Sequence, residues 1–318
     1  FFPELVYVRP QGQIEKRDSL EGSAFIDFPV DQTVIYPGYR RNTAELGKIQ
    51  SSIDSVRSDT DITITSVWLK GYASPESPYA HNQELAIGRT AALKKHIQQL
   101  YRFEGDVITT DYEPEDWAGL RRYVERSNLG HREEIIALID GDLEPDAREW
   151  KIKSTYPEEY RFLLQNCYPA LRRTDYRIAY TIRNYSDVEE IKRIMRERPQ
   201  KLSLNEFYLV AQEYEPGTDE FAEVFETAVR MFPDDTVANL NAANAAMRRG
   251  DLTGAERYLA KTGDSPEAVY ARGALAIRQK DYDGARRYLN EAKSLGLEQA
   301  AITLEQLGKN DINEYKYH

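Results

Sequence analysis

The residues best suited to binding chemistry lie within one stretch, GYASPESPYAHNQELAIGR, at positions 71–89. Arg89 carries a planar fork of N–H donors that matches a carboxylate through two parallel hydrogen bonds. Ser74 and Glu76 lie in a proline-containing loop ahead of it and supply a hydroxyl group and a second charge. The stretch therefore predicts a ligand site, and an ordinary ion pair between Arg89 and Glu84 is the alternative.

Tyr72 and Asn82 belong to the same candidate ligand-binding set. An asparagine at the start of a helix commonly closes a local turn and satisfies backbone groups. A tyrosine at the end of a strand commonly packs against its neighbours. Both residues are therefore candidates for ligand contact, with these structural roles as the alternatives.

The stretch requires a strand before it and a helix after it. ITITSVWL at 62–69 is rich in β-branched residues, which predicts a central strand ending at Gly71, and helical spacing returns over 79–99. The other predicted elements are a strand at 24–28, an amphipathic helix at 40–56, a strand at 107–110, a helical insertion at about 112–165 and a strand at 176–182. This order predicts an α/β (α+β) domain over 20–185, with a small four-stranded mixed sheet and helices on one face.

The same stretch resembles the signature of the OmpA-like peptidoglycan-associating domain. That signature runs Gly-Tyr-Thr-Asp, a loop, Tyr-Asn, Leu-Ser and Arg-Arg-Ala. The positions that match it without a gap are Gly71, Tyr72, Asn82, Leu85 and Arg89. The resemblance covers residues 20–185, because the flanking strands and helices follow the family's order.

The resemblance implies a ligand and a partner. In the family, a loop aspartate and a helix arginine bind the zwitterionic and carboxylate groups of the diamino acid in the peptidoglycan stem peptide. Arg89 occupies the arginine position, whereas Ser74 occupies the aspartate position. A neutral serine does not neutralise an ammonium group, so Glu76 is the candidate for the missing charge.

The chain beyond residue 185 repeats itself. GDLTGAERYL at 250–259 and KDYDGARRYL at 280–289 share Asp, Gly, Ala, Arg, Tyr and Leu at equivalent positions. A related arrangement around Phe225, Ala228 and Pro233 follows a predicted helix at 204–214. The pattern predicts an all-α domain of at least three helical hairpins over 186–318.

The spacing of small and bulky residues in these hairpins resembles tetratricopeptide repeats. Gly273, Ala285 and Ala292 fall at the small positions and Leu289 at the bulky one, whereas Phe221 stands where a small residue is expected. Such stacks hold protein segments on a concave face. A solvated polar face and packing on the α/β domain are the alternatives. The candidate protein-binding residues are Asn239, Asn241, Asn244 and Arg272.

Motifs for catalysis and cofactor binding are missing from the sequence. No phosphate loop, dinucleotide fingerprint or serine nucleophile elbow follows a predicted strand. The 4 histidines lack the spacing of a helical zinc site, and Cys167 is the only cysteine. The acidic run at 111–116 is typical of a solvated loop, with a glycosidase-type carboxylate pair as the weaker alternative. We therefore predict no catalytic residue, no cofactor and no metal site.

Charge and hydropathy limit the partners. A formal net charge of −11 repels phosphate backbones and anionic membrane surfaces, so nucleic acid is not an expected partner. No segment approaches the roughly 20 continuous apolar residues of a membrane-spanning helix. The chain begins with Phe1 and Phe2, followed by an N-terminal extension over 1–19. We expect that a leader, anchor or domain precedes Phe1 and holds the protein in the periplasm at the outer membrane.

These observations lead to one functional prediction and one main alternative. The prediction is a non-catalytic cell-envelope protein whose OmpA-like domain associates with peptidoglycan or a related ligand, while its helical repeats recruit an envelope protein partner. The alternative is an envelope assembly or scaffold protein that has lost peptidoglycan binding together with the loop aspartate. A hydrolase of wall or glycan material is a third, weaker hypothesis.

Overall fold

The computed structural model describes residues 1–12 and 15–316, with side chains described as far as residue 311. The chain forms two compact units. The α/β unit is Arg17–Arg183, and the helical unit combines Phe1–Lys16 with Asn184–His318. The described chain is mixed α/β and mostly helical, with a small mixed sheet.

The sheet of the α/β unit has four strands in the order β1-β4-β2-β3. The strands are β1 (Lys16–Ala24), β2 (Ile62–Tyr72), β3 (Ile108–Glu113) and β4 (Thr174–Ile182). Central β2 pairs in parallel with β3 and antiparallel with β4, so the sheet is mixed, as predicted. The candidate loop therefore leaves from the end of the central strand.

Two helices, α1 (Asn42–Arg57) and α2 (Tyr79–Tyr101), share one core with the sheet. Alternate residues of β2, such as Val67 and Leu69, are buried against Ile53 of α1 and Leu93 of α2. Gly71 continues this alternation, and a Cβ there would collide with Thr90 Oγ1. Only a glycine lets α2 lie this close to the strand end, so the motif glycine has a packing role.

The predicted strand at 24–28 is wrong, because β1 ends at Ala24 and the following residues leave the sheet. Side chains of α1 accept the hydrogen bonds that a neighbouring strand would otherwise make. The Phe25 N–H donates to Glu45 Oε2 at 3.0 Å, and the Asp27 N–H donates to Asn42 Oδ1 at 2.7 Å. Because these two N–H groups already have acceptors, the segment after Ala24 does not need the hydrogen bonds of a neighbouring strand.

The insertion between β3 and β4 is helical, as predicted, and continues to Leu171. Its helices are α3 (Trp117–Arg126), α4 (Arg132–Asp140), α5 (Pro145–Thr155), α6 (Pro157–Asn166) and α7 (Tyr168–Leu171). They bury a separate core that includes Leu120, Leu163 and Cys167. Burial raises the pKa of the Cys167 thiol to about 12, which is typical of an inert core cysteine.

Residues 184–316 of the helical unit contain no strand. The helices are α8 (Val188–Glu197), α9 (Leu204–Ala211), α10 (Asp219–Met231), α11 (Thr236–Arg248), α12 (Leu252–Leu259), α13 (Pro266–Arg278), α14 (Tyr282–Ser294) and α15 (Glu298–Lys316). A short 3-10 turn at Pro199–Lys201 separates α8 from α9. Neighbouring helices pack along the chain, most extensively α11 on α12 and α13 on α14.

The repeated Asp and Gly residues begin the second helix of each clear pair. Asp251 Oδ1 accepts a hydrogen bond from the Gly254 N–H at 2.8 Å, and Asp281 does the same for Gly284 at 3.0 Å. A Cβ on either glycine would collide with the capping carboxylate. The repeated motif therefore encodes a helix N-cap with a sterically required glycine.

Candidate functional site

Arg172 organises the candidate loop of the α/β unit. Its Nε donates to Ser74 Oγ at 2.9 Å, and its Nη2 donates to Glu76 Oε2 at 2.6 Å. Ser74 is buried, whereas Arg172 and Glu76 are partly exposed. The serine and the glutamate of the loop thus bind an arginine from the segment that precedes β4, and the charge of Glu76 is compensated within the unit.

Asn82 lies inside the unit and makes two contacts that hold the loop. Its Nδ2 donates to the Ser77 carbonyl oxygen at 2.7 Å and to Glu115 Oε1 at 3.0 Å. Glu115 also accepts a hydrogen bond from Trp117 Nε1 at 2.7 Å, and burial raises the pKa of its carboxyl. These bonds match the structural alternative given for Asn82, in which it closes a local turn. They also connect the loop to the start of α3 through Glu115.

The expectation that the acidic run at 111–116 is solvated is wrong for its last two members. Glu115 and Asp116 are each 3% exposed. Asp116 caps α3 through the Gly119 N–H and forms an ion pair with Arg173 at 2.5 Å. The two carboxylates are buried because each accepts hydrogen bonds from groups that are themselves held in place.

Arg89 is half-buried and has no ion pair within the described residues, so the pair with Glu84 that was the alternative to ligand binding is not formed. Its Nε donates to the Gln32 carbonyl oxygen at 3.2 Å, and its guanidinium carbon lies 4.9 Å from the centre of the Phe28 ring. Desolvation and the charge of Arg172 lower the pKa of Arg89. The arginine is therefore held by a carbonyl and a ring, and no carboxylate of the described residues forms an ion pair with it.

Tyr72 packs beneath an arginine. The guanidinium carbon of Arg173 lies 4.0 Å from the centre of the Tyr72 ring, and Lys70 Nζ lies 5.3 Å from it. Burial, followed by the charge of Asp175, raises the pKa of the tyrosine. These contacts match the packing alternative given for Tyr72.

In the helical unit, two of the four asparagine and arginine candidates hold a peptide segment of the same chain. This N-terminal segment is residues 1–10, and its backbone forms no internal hydrogen bond. Asn241 Oδ1 accepts from the Val8 N–H and Asn241 Nδ2 donates to the Val8 carbonyl oxygen, both at 2.8 Å. Asn244 Nδ2 donates to the Val6 carbonyl oxygen at 2.8 Å. Both asparagines are buried beneath the segment.

Side chains of the N-terminal segment fill sites between the helices. The Tyr7 ring stacks on Phe225 with centroids 5.4 Å apart and meets the edge of Phe221 at 4.9 Å. Leu5 and Val8 pack against the core of α11 to α13. Phe221, which departs from the small residue expected at its position, therefore helps to form the site for Tyr7.

Asn239 and Arg272 make local contacts instead. Asn239 Nδ2 donates to the carbonyl oxygens of Pro233 and Asp235, at 2.9 and 2.8 Å, and thereby fastens the start of α11. Arg272 forms an ion pair with Asp264 at 3.0 Å and also donates to the Gly263 carbonyl oxygen. Neither residue contacts the N-terminal segment through these bonds.

The sequence did not indicate Arg172 or the N-terminal segment as parts of candidate sites. Arg172 lies far from the loop in sequence, and only the pairing of β4 with β2 brings it there. The run FFPELVYV at 1–8 is strongly apolar for an extension. That composition, and the presence of Phe221 where the repeat pattern expects a small residue, are the sequence features that could have indicated a contact between them.

Comparisons with known proteins add no family assignment, since no protein-family model matches the chain and no curated protein matches it either. Among the described residues, no helix combines the length and apolar character needed to cross a membrane. Nor does that part of the chain contain a group of three or more His, Cys, Asp or Glu residues arranged to hold a metal ion.

Proposed function

We propose that this chain is a non-catalytic scaffold protein of the cell envelope. In this proposal the α/β unit serves as an assembly module, and the helical unit holds protein segments. The resemblance of 71–89 to the OmpA-like signature supports a location in the cell envelope. The peptide contacts of Asn241 and Asn244 support protein binding.

One observation favours the scaffold over peptidoglycan binding: Arg172 binds both Ser74 and Glu76. A ligand ammonium group needs an uncompensated anion at this loop. Glu76 is already paired at 2.6 Å, and Ser74 contributes no charge. A zwitterion would have to displace an intact ion pair, so the anionic half of the family's ligand site is lost here.

Peptidoglycan binding is the second candidate because Arg89 has no carboxylate partner among the described residues. A half-buried guanidinium pays a desolvation cost that a bound carboxylate would offset. Burial, followed by the charge of Arg172, lowers the pKa of Arg89, so a stem-peptide carboxylate on Arg89 would also lie near Arg172. This candidate therefore requires binding through the carboxylate alone.

Co-sedimentation with purified peptidoglycan separates the two candidates. The full chain is compared with Arg89→Ala and with Arg122→Ala, which removes an exposed arginine on α3 as a matched control. The scaffold proposal predicts that all three proteins stay equally in the supernatant. Sedimentation of the wild type and of Arg122→Ala, lost in Arg89→Ala, would establish the peptidoglycan candidate instead.

A further inference from the structure

Two asparagine side chains of α11 bind the backbone of the N-terminal segment. Asn241 both donates to and accepts from Val8, as a neighbouring strand would. Asn244 lies three positions further along the helix, about 4.5 Å of axial rise, and binds Val6. Alternate carbonyls of an extended chain point to the same side, and the two asparagines bind alternate residues of the segment, Val8 and Val6.

The aromatic site next to these asparagines supplies side-chain selectivity. Tyr7 contacts Phe221 and Phe225, which are both buried on α10. Ring contacts of this kind favour an aromatic side chain over an aliphatic one that buries the same area. The helical unit thus has two asparagines that bind a peptide backbone and, next to them, a site for an aromatic side chain.

One polar atom of the N-terminal segment and one of the surface beneath it are left unsatisfied. Tyr7 Oη and Asn244 Oδ1 are buried and have no hydrogen-bond partner among the described residues. Asn244 makes one bond to the segment, whereas Asn241 makes two. A buried group without a partner weakens binding, so this occupant is not the best match for the site.

From these contacts we propose that the helical unit is a receptor for an extended peptide with a phenylalanine at the position of Tyr7, and that residues 1–10 occupy the receptor in cis as a displaceable competitor. This inference rests on the proposed role of the helical unit in holding protein segments. Phenylalanine fills the aromatic site without burying a hydroxyl. A backbone N–H placed opposite Asn244 Oδ1 would give that asparagine the second bond that Asn241 already has.

The test uses the full chain and two synthetic peptides, FFPELVYVRP and FFPELVFVRP, each with a fluorescent label at its C-terminus. Binding is followed by fluorescence anisotropy. A tethered segment competes at an effective concentration on the order of millimolar, so wild type should show little binding. Tyr7→Ala removes one contact of the segment, the ring between Phe221 and Phe225, and leaves the aromatic site open. This variant should therefore bind both peptides, with FFPELVFVRP about tenfold tighter.

Two further variants make the result specific. Tyr7→Ala combined with Asn241→Ala should lose peptide binding, because the backbone contact is removed. Tyr36→Ala, which removes an exposed tyrosine of the α/β unit, should behave like wild type. Circular dichroism confirms that each variant is folded.

Failure of folded Tyr7→Ala to bind either peptide overturns the inference. Equal binding by wild type and Tyr7→Ala, or binding that survives Asn241→Ala, also overturns it. None of these outcomes depends on sedimentation with peptidoglycan. The peptide inference and the scaffold proposal can therefore fail separately.

Discussion

The candidate loop of the α/β unit and the peptide surface of the helical unit differ in how they satisfy their polar groups. At the loop, Arg172 binds Ser74 and Glu76, and Asn82 binds Glu115. No side-chain atom of these residues is buried without a partner in the described structure. At the peptide surface, by contrast, Tyr7 Oη and Asn244 Oδ1 are buried and unpaired.

Charged residues in a loop therefore do not by themselves indicate that the loop is open to a ligand. The loop that carries Ser74 and Glu76 is closed by an ion pair between Glu76 and Arg172. The neutral surface of the helical unit is covered by a segment that fits it imperfectly. The two buried polar atoms without a partner mark the peptide surface as one that a different ligand would satisfy more completely.

The largest expected effect on stability comes from breaking the buried ion pair between Lys16 and Glu206. Lys16 Nζ lies 2.8 Å from Glu206 Oε1, and both side chains are about 5% exposed or less. Glu206→Ala removes a buried carboxylate that accepts from Lys16 Nζ and from the Ser203 N–H, which should lower the free energy of unfolding by about 3–5 kcal/mol. Urea denaturation followed by circular dichroism measures this loss.

Glu226→Ala is the matched control for that experiment. Glu226 lies on α10 and pairs with Arg249 at 2.7 Å, but both side chains are more than 40% exposed. An exposed pair contributes about 0–1 kcal/mol, so this variant should unfold close to wild type. Equal losses in the two variants would contradict the role of the buried ion pair.

The next effect compares two adjacent arginines of the α/β unit. Arg173 is 15% exposed, binds Asp116 and Asp175, and covers Tyr72. Arg173→Ala should cost about 3 kcal/mol because it leaves Asp116 buried and unpaired. Arg172→Ala removes a pair whose side chains are 40% and 35% exposed, and should cost about 1 kcal/mol or less. Thermal unfolding of both variants gives the ranking, and a reversed order would show that the loop is the stronger ion-pair site.

Removing one hydroxyl from each region should shift stability in opposite directions. Tyr7→Phe deletes a buried hydroxyl without a partner and should stabilise the protein by about 1 kcal/mol. Ser74→Ala deletes an acceptor that Arg172 uses at 2.9 Å and should destabilise it by about 1 kcal/mol. Denaturant midpoints of the two variants provide the measurement. If both shifts have the same sign, the contrast between the regions is wrong.

The smallest expected effect is a pH dependence that belongs to the α/β unit. His131 Nδ1 lies 2.9 Å from Glu159, and this hydrogen bond raises the pKa of the histidine. The stabilisation is therefore fully present below the unfolded-state pKa of about 6.5 and is lost as pH rises through the raised pKa. His131→Gln should flatten this part of the stability profile between pH 6 and 8. An unchanged profile would exclude the pair as its source.

Much of the fold could be predicted from periodicity and composition. The β-branched run at 62–69 forms most of β2, and helical spacing at 79–99 lies within α2. Both patterns report burial on one face, which local sequence encodes directly. The strand at 24–28 was misplaced because β1, KRDSLEGSA, has few apolar residues, and its pairing comes from β4.

The candidate sites were predictable only in part. The residue types at Ser74, Glu76 and Arg89 indicated a binding loop, and asparagines on α11 indicated a protein-binding face. Which groups these side chains meet was not encoded nearby. Asn241 and Asn244 bind Val8 and Val6, which lie more than 230 positions away in sequence.

The local sequence determined β2, β3, β4, most of the helices, the repeated Asp and Gly caps and the glycine that lets α2 pack at the end of β2. These features depend on neighbouring residues and on periodic burial. Tertiary structure decided that Arg172 closes the loop, that Arg89 has no carboxylate partner among the described residues, and that residues 1–10 cover the asparagines of α11. Those outcomes depend on distant segments meeting in space, and charge or hydropathy along the chain carries no record of which segments will meet.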